Sequence, residues 1–313
     1  MHPSVGRNEQ LEEISGHLDW ASLEVVLGQV RPGKRGAPSY PALLMFKALL
    51  LQQWYALSDP GLEQALSDRM SFRRFVGLSA DQAAPDHSTL WRFRQALAEQ
   101  ELDRAAFEAV NGQLDGAGLI VRQGTLIDAS LIPAASRPPK KPDPKNLVEG
   151  ASLLVKAPHE PDADWTRRGG KRFFGYKLHL NMDRGSQLVR EMTLTPASIN
   201  DTSAADGLIM GDEQEVWADK AYDSHERRAR LKAAKLKNRI MRRGNKHHPE
   251  SRWSKRRNDL IGKVRGRVET AFAILKRHYG RGRARYRTLI RNQADMLLAC
   301  TAMNLRRAMT LTA

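Results

Sequence analysis

Three acidic residues stand where their types and spacing suit metal-assisted chemistry. Asp128 interrupts the short apolar run Thr125-Leu126-Ile127-Asp128-Ala129, and a charge inside an apolar strand costs several kcal/mol unless it is paired or metal-bound. Asp219 closes the run Val216-Trp217-Ala218, and carboxyl ends of sheet strands gather functional groups. Glu269 follows Arg265 by four residues and precedes Lys276 by seven, which puts all three on one helix face. Beside that face, Ile261, Val264, Val268, Phe272 and Leu275 form an apolar stripe that docks the helix on a sheet. Taken singly, Arg265 and Glu269 are an i,i+4 surface pair worth about 0.3–0.5 kcal/mol. Taken together, the three carboxylates are hard oxygen ligands suited to Mg²⁺ or Mn²⁺. Phosphodiester chemistry by a two-metal route needs such carboxylates, able to hold two ions about 3.5–4 Å apart. Asp223 competes with Asp219, but Asp223-Ser224-His225-Glu226 reads as a capping box and gives Asp223 a structural job.

The elements that must position these acids change character along the chain. Residues 1–116 read as helical: Leu43, Phe46 and Leu50 recur at helical spacing after Pro41, and Asp59-Pro60 reads as a cap and first residue. Asp86-His87-Ser88-Thr89 caps a helix carrying Trp91, Arg92 and Arg94, so the region fits a helix-turn-helix unit as well as a plain bundle. A strand begins after Gly124. The Pro-rich stretch from Pro133 to Trp165 reads as an exposed insertion, about 133–168. Tyr176, Leu178, Leu180 and Met182 alternate with polar residues, and Asp183-Arg184-Gly185 turns into a second strand over Gln187–Thr195. A helix starts at Asp201 or Thr202, a strand spans Glu215–Ala218, and a basic helix spans Ser224–Lys235. A strand at Arg239–Met241 follows, then helices over Asp259–His278 and Leu289–Met309. This order is α/β with a mixed sheet and flanking helices, preceded by an all-α N-terminal domain. It matches the ribonuclease-H-like fold of polynucleotidyl transferases, with domains at 1–118 and 119–313.

Charge narrows the partners. The net charge is +16, and residues 221–290 hold 23 Lys and Arg against 5 Asp and Glu, while the rest has 28 against 30. Concentrated basicity is a footprint for a polyanion, because neutralising phosphates releases counterions. The apolar stretch Ala42–Leu51 is broken by Lys47 and too short to span a bilayer, and no signal-peptide pattern opens the chain. No membrane association is expected, and the lone Cys300 fits a reducing cytoplasm. His179, His247, His248 and His278 match no zinc spacing and read as phosphate contacts or surface positions. Trp165 and Trp253 read either as base-stacking platforms or, more simply, as rings buried against the sheet.

The helix over 262–276 resembles the transposase signature Tyr-(2)-Arg-(3)-Glu-(6)-Lys at Arg265, Glu269 and Lys276, with Gly262 in place of the tyrosine. Asp219-Lys220-Ala221-Tyr222 is similar to the motif around the second aspartate of these enzymes. Gly124–Leu131, Phe174–His179, Thr195–Asp201 and Asp86–Arg94 look like further blocks of insertion-sequence transposases. The resemblance is to the insertion-sequence-five family of DDE transposases and spans most of the chain. It implies that Asp128, Asp219 and Glu269 are the catalytic, metal-holding triad for two Mg²⁺ or Mn²⁺ ions. It implies DNA contacts by Arg265, Lys276, Lys220, Tyr222, Arg92 and Arg94, with Tyr222 a possible substitute for the missing tyrosine. The activity implied is hydrolysis at the inverted-repeat ends of an element, then attack by the freed 3′-hydroxyl on target DNA. A homodimer on double-stranded DNA and a bacterial, DNA-associated cytoplasmic setting are implied as well. A DNA-binding relative without activity, or a host nuclease on the same fold, is the alternative.

Overall fold

The computed structural model describes residues 7–30, 40–136, 159–244 and 249–312, and the chain divides into two compact units. The first unit comprises residues 1–121, 277–280 and 293–313. Its helices are α1 (Glu9–Gly16), α2 (Trp20–Leu27), α3 (Ala42–Trp54), α4 (Asp59–Asp68), α5 (Met70–Val76), α6 (His87–Glu99) and α7 (Leu102–Gly116). The core helix is α3, apolar on nearly every side, with Met45, Phe46, Ala48, Leu49, Leu50 and Leu51 each at most 2% exposed. Side-chain caps start four of the helices, at Asn8, Asp19, Ser58 and Asp86.

Two sequence expectations change here. Ser58, not Asp59, caps α4, because the Asp59 carboxylate is taken by Arg94 at 2.7 Å. The C-terminal segment, assigned from sequence to the second domain, joins the helical unit from residue 293 onward. In that unit Trp54 Nε1 donates to the Ala302 carbonyl and Asn304 Nδ2 to Asn111 Oδ1, each at 2.8 Å. The helix carrying these residues is α12 (Leu289–Thr312).

The second unit, residues 122–276 and 281–292, is built on six strands. They are β1 (Thr125–Pro133), β2 (Asp164–Arg168), β3 (Lys171–Asp183), β4 (Val189–Pro196), β5 (Glu215–Ala218) and β6 (Lys237–Ile240). Antiparallel β3 lies between β1 and β4, and β5 and β6 extend the sheet from β1 in parallel. The resulting order β4-β3-β1-β5-β6 is a mixed sheet of ribonuclease-H-like type, with β2 on the N-terminal stretch of β3. Helices α8 (Asp201–Ala205), α9 (His225–Ala233), α10 (Arg252–Arg265) and α11 (Arg267–Arg277) accompany it. Ile127, Val216, Ala218, Tyr222, Leu231 and Ile240 form one of its buried clusters.

Four boundaries differ from the sequence reading. The expected insertion contains β2, an edge strand whose identity comes from pairing with β3; residues 137–158 of that insertion lie outside the described residues. The expected helix Asp259–His278 begins earlier, at Arg252, because Ser251 caps it. It is also interrupted at Gly266, where the Glu269 N–H bonds to the Gly266 carbonyl, three residues back instead of four. No capping box forms at α9: Ser224 caps it alone, and Asp223 instead pairs with Arg228 and accepts from Arg243 N–H. Among the described residues, no helix is long and apolar enough to cross a membrane.

One glycine fixes how closely β1 and β3 approach. At Gly175, φ is 153° and an added Cβ would sit 2.7 Å from Ala134 N and nearer still to the Ile132 carbonyl oxygen. Both obstacles are backbone, so neither can turn aside. Gly175→Ala is therefore expected to destabilise the protein by about 1–3 kcal/mol, read as a lower urea midpoint at unchanged m-value. An unaltered midpoint would contradict the close approach.

Candidate active site

Register brings the first two acids together. Thr125 pairs with Val216 and Leu126 with Trp217 across the parallel β1–β5 ladder. Counting three residues on from Thr125 and Val216 reaches Asp128 and Asp219, which therefore emerge side by side at the end of the shared ladder. Both line an open cleft of about 200 Å³ with Ser130, Arg167, Arg168, Lys177 and Asp201. Asp219 also caps the short turn that follows β5, accepting from Ala221 N–H at 2.7 Å.

The third acid arrives through an arginine. Arg265, at the end of α10, donates from Nη1 to Asp128 Oδ2 at 2.6 Å and from Nη2 to Glu269 Oε1 at 3.2 Å. The break at Gly266 leaves Glu269 in the first turn of α11, where acidic side chains are favoured. Val268, Phe272 and Leu275 are buried and seat that helix. Exposure separates the two carboxylates, with Asp128 at 16% and Glu269 at 66%. Burial pushes the Asp128 carboxyl up to about 6; Asp219 and Glu269 push in the same direction, and Arg265 opposes them. Burial outweighs the attraction of Arg265 at this carboxyl.

The donor set fits hard divalent cations, since Asp128, Asp219 and Glu269 all offer carboxylate oxygens. Among the described residues, no three acidic or histidine side chains are disposed as they stand to hold an ion. Arg265 engages one oxygen each of Asp128 and Glu269.

The remaining residues expected at the site separate into three groups. Lys276 does reach it, donating to Ser130 Oγ at 2.6 Å and to the Leu131 carbonyl at 3.2 Å. Burial and Arg168 lower its pKa. Lys220 and Arg92 are exposed, the latter folded back onto Ser88 and Thr89 at the start of α6. Arg94 and Tyr222 are withdrawn from the surface. Arg94 is 4% exposed and spent on Asp59 and Gln52, so it braces α3, α4 and α6. Tyr222 is 1% exposed within the apolar cluster beneath β5. As an outward DNA contact neither is available. Gly262 faces Met241, whose methyl would lie 3.1 Å from an added Cβ, so a larger side chain here must displace Met241.

His179 also departs from expectation: it is fully buried, bonded to Thr195 Oγ1 at 2.9 Å, and burial pulls its pKa down to about 4. His278 is exposed, and His247 and His248 lie outside the described residues. Trp165 packs against Phe174, whereas Trp253 is 60% exposed with Arg242 over its ring. The sequence reading passed over Ser130, Arg168, Lys177 and Asp201 as cleft residues. Lys177 carried a signal, as a polar position on the cleft-facing strand, but Asp201 was indistinguishable from an ordinary helix start.

A family model described as a transposase DDE domain matches residues 120–305, and one described as a transposase domain (DUF772) matches residues 2–96. No solved structure matches the chain.

The raised Asp128 pKa has a definite sign. The folded state favours the protonated carboxyl, so its contribution to stability is present below about pH 4 and lost as pH rises toward 6. Asp128→Asn removes that titration. In metal-free buffer its stability relative to wild type is expected to climb between pH 4 and 6, by a few kcal/mol at most. Urea melts across that range check this, and parallel pH profiles for the two proteins would refute it.

Proposed function

Because the chain belongs to the DDE transposases of the insertion-sequence-five family, we propose that this cleft cleaves and joins DNA strands at the inverted-repeat ends of an insertion sequence, using Asp128, Asp219 and Glu269. The observation that carries the reading is that Asp128 of β1 shares a cleft with Asp219 at the end of β5 and is joined through Arg265 to Glu269 of α11. Those carboxylates would hold two ions, Mg²⁺ or Mn²⁺, whose chemistry is to activate the attacking oxygen and stabilise the leaving one.

The chain's own groups define what surrounds that chemistry. Arg265 balances Asp128 and Glu269 before metal enters, and a guanidinium with five donors can then turn one edge to a phosphate. Lys276, tied to Ser130 and Leu131, fixes a positive charge beside β1 that offsets negative charge developing at phosphorus. Asp219 keeps its orientation through the Ala221 amide.

DNA approaches along α10 in this reading. Arg252, Lys255, Arg256 and Lys263 are exposed on that helix, together with Trp253 and Leu260. The other side of α10 is anchored by Arg257, which donates to the Ile240 and Asn238 carbonyls at 2.9 Å. The helix therefore presents fixed cations on the path that ends at Arg265. The substrate is double-stranded DNA, and a homodimer holds two ends at once.

Two experiments test this. With Mg²⁺ and end-bearing DNA, Asp128→Asn and Glu269→Gln are each expected to lower strand cleavage on the order of a thousandfold or more while binding persists. Cleavage that survives either change would sink the triad, and tight binding with no wild-type cleavage would favour a DNA-binding protein without activity. Separately, Arg256→Ala and Lys263→Ala are expected to weaken binding uniformly across sequences, each reducing the salt dependence by about one ion.

A further inference from the structure

Lys177 and Asp201 have no role in the chemistry above, yet both line the cleft beside Asp128 and Asp219. The Lys177 ammonium lies 2.9 Å from Asp201 Oδ1 and donates to the Ile199 carbonyl at 2.7 Å. It projects from β3, whereas Arg167 and Arg168, the other cations lining the cleft, come from β2. The cleft is thus lined by cations from two different supports.

The surroundings are built around that pair. The Tyr222 hydroxyl is buried without a hydrogen-bond partner among the described residues, and it feels the negative charge of Asp201, Asp128 and Asp219 together. His179, two positions along β3, is buried and feels both Asp201 and Lys177. Asp201 is therefore a fourth acid in the field of the site, and Lys177 is its counterion.

An ammonium carries three donors. Ile199 engages one of them in a hydrogen bond and Asp201 lies at ion-pair distance, so donor capacity is left for a ligand. They also fix a side chain that is otherwise free to rotate, so an incoming anion meets a cation already in place. Resting on the strand-cleavage reading, we propose that Lys177 binds a DNA phosphate next to the scissile one, and that Asp201 is the positioning residue that aims its ammonium.

Charge-neutral methylphosphonate linkages, placed singly along an end-bearing duplex around the cleavage point, test this through equilibrium binding in EDTA. Wild type is expected to lose roughly tenfold in affinity at one linkage beside the scissile position, the scale of one charge-assisted hydrogen bond. Lys177→Ala should bind unmodified DNA weaker by a similar factor and show no further loss at that linkage. Lys177→Arg should restore the penalty. Asp201→Asn, which keeps an acceptor but removes the charge, should shrink the penalty at that linkage and leave every other linkage unchanged. Lys177→Gln carries the same test if the alanine variant melts early. A Lys177→Ala or Lys177→Gln protein that keeps the full penalty at every linkage overturns the proposal. The strand-cleavage reading fails separately, if wild type with Mg²⁺ leaves the unmodified duplex uncut.

Discussion

A charged aspartate within a sheet strand costs several kcal/mol in isolation, and in this chain a single guanidinium offsets part of that cost. That requires α10 to end beside Asp128 and α11 to carry Glu269, four residues on, within reach of the same guanidinium. Each of those conditions has its own support. Arg257 fastens α10 to backbone carbonyls of β6, the Gly266 step sets the offset of α11, and Val268, Phe272 and Leu275 bury the next helix. Removing Arg265 would leave Asp128 buried without compensation, which is far more damaging than losing a surface pair. The same bridge lets Asp128 and Glu269 stand close together, while Asp201 has Lys177 as its own counterion.

The sheet supplies the complementary constraint. A one-residue slip between β1 and β5 would turn Asp128 to the opposite face and separate it from Asp219. Register is held elsewhere on β1, by its nine paired positions with β3 and by the close crossing at Gly175. Asp183, fully buried at the far end of β3, accepts from Arg122, Gly185 and Ser186 and closes the hairpin that starts β4. Packing rigidity thus stands behind a charge arrangement that would otherwise drift.

Much of this was legible in the sequence wherever one residue's local pattern decided the outcome. Glu215–Ala218 is a strand with the same bounds in both readings, because an apolar run between turn residues has little alternative. The cap at Asp86 was equally clear, with Asp86 accepting from Thr89 N–H. Distant partners decided the rest. Arg94 looks like a DNA contact until Asp59, thirty-five residues earlier in the chain, takes it inside. Tyr222 and His179 occupy motif positions whose burial depends on neighbouring strands. The strand β2 has no strong periodicity of its own and is specified by β3. The pairing of Lys177 with Asp201 spans a strand and a turn, so neither residue announces the other.

The return of residues 293–313 to the helical unit has a consequence for synthesis. The N-terminal helices leave the ribosome first, but Trp54 finds its carbonyl partner only when residue 302 exists, and Asn111 waits for Asn304. At about 5–20 residues per second, the roughly 190 intervening residues take on the order of 10–40 s to appear. Through that interval the helical unit lacks a wall of its core, while the β-strands of the second unit emerge and pair. A nascent chain is thereby kept from presenting a finished helical unit before Asp128, Asp219 and Glu269 of the same molecule have been made.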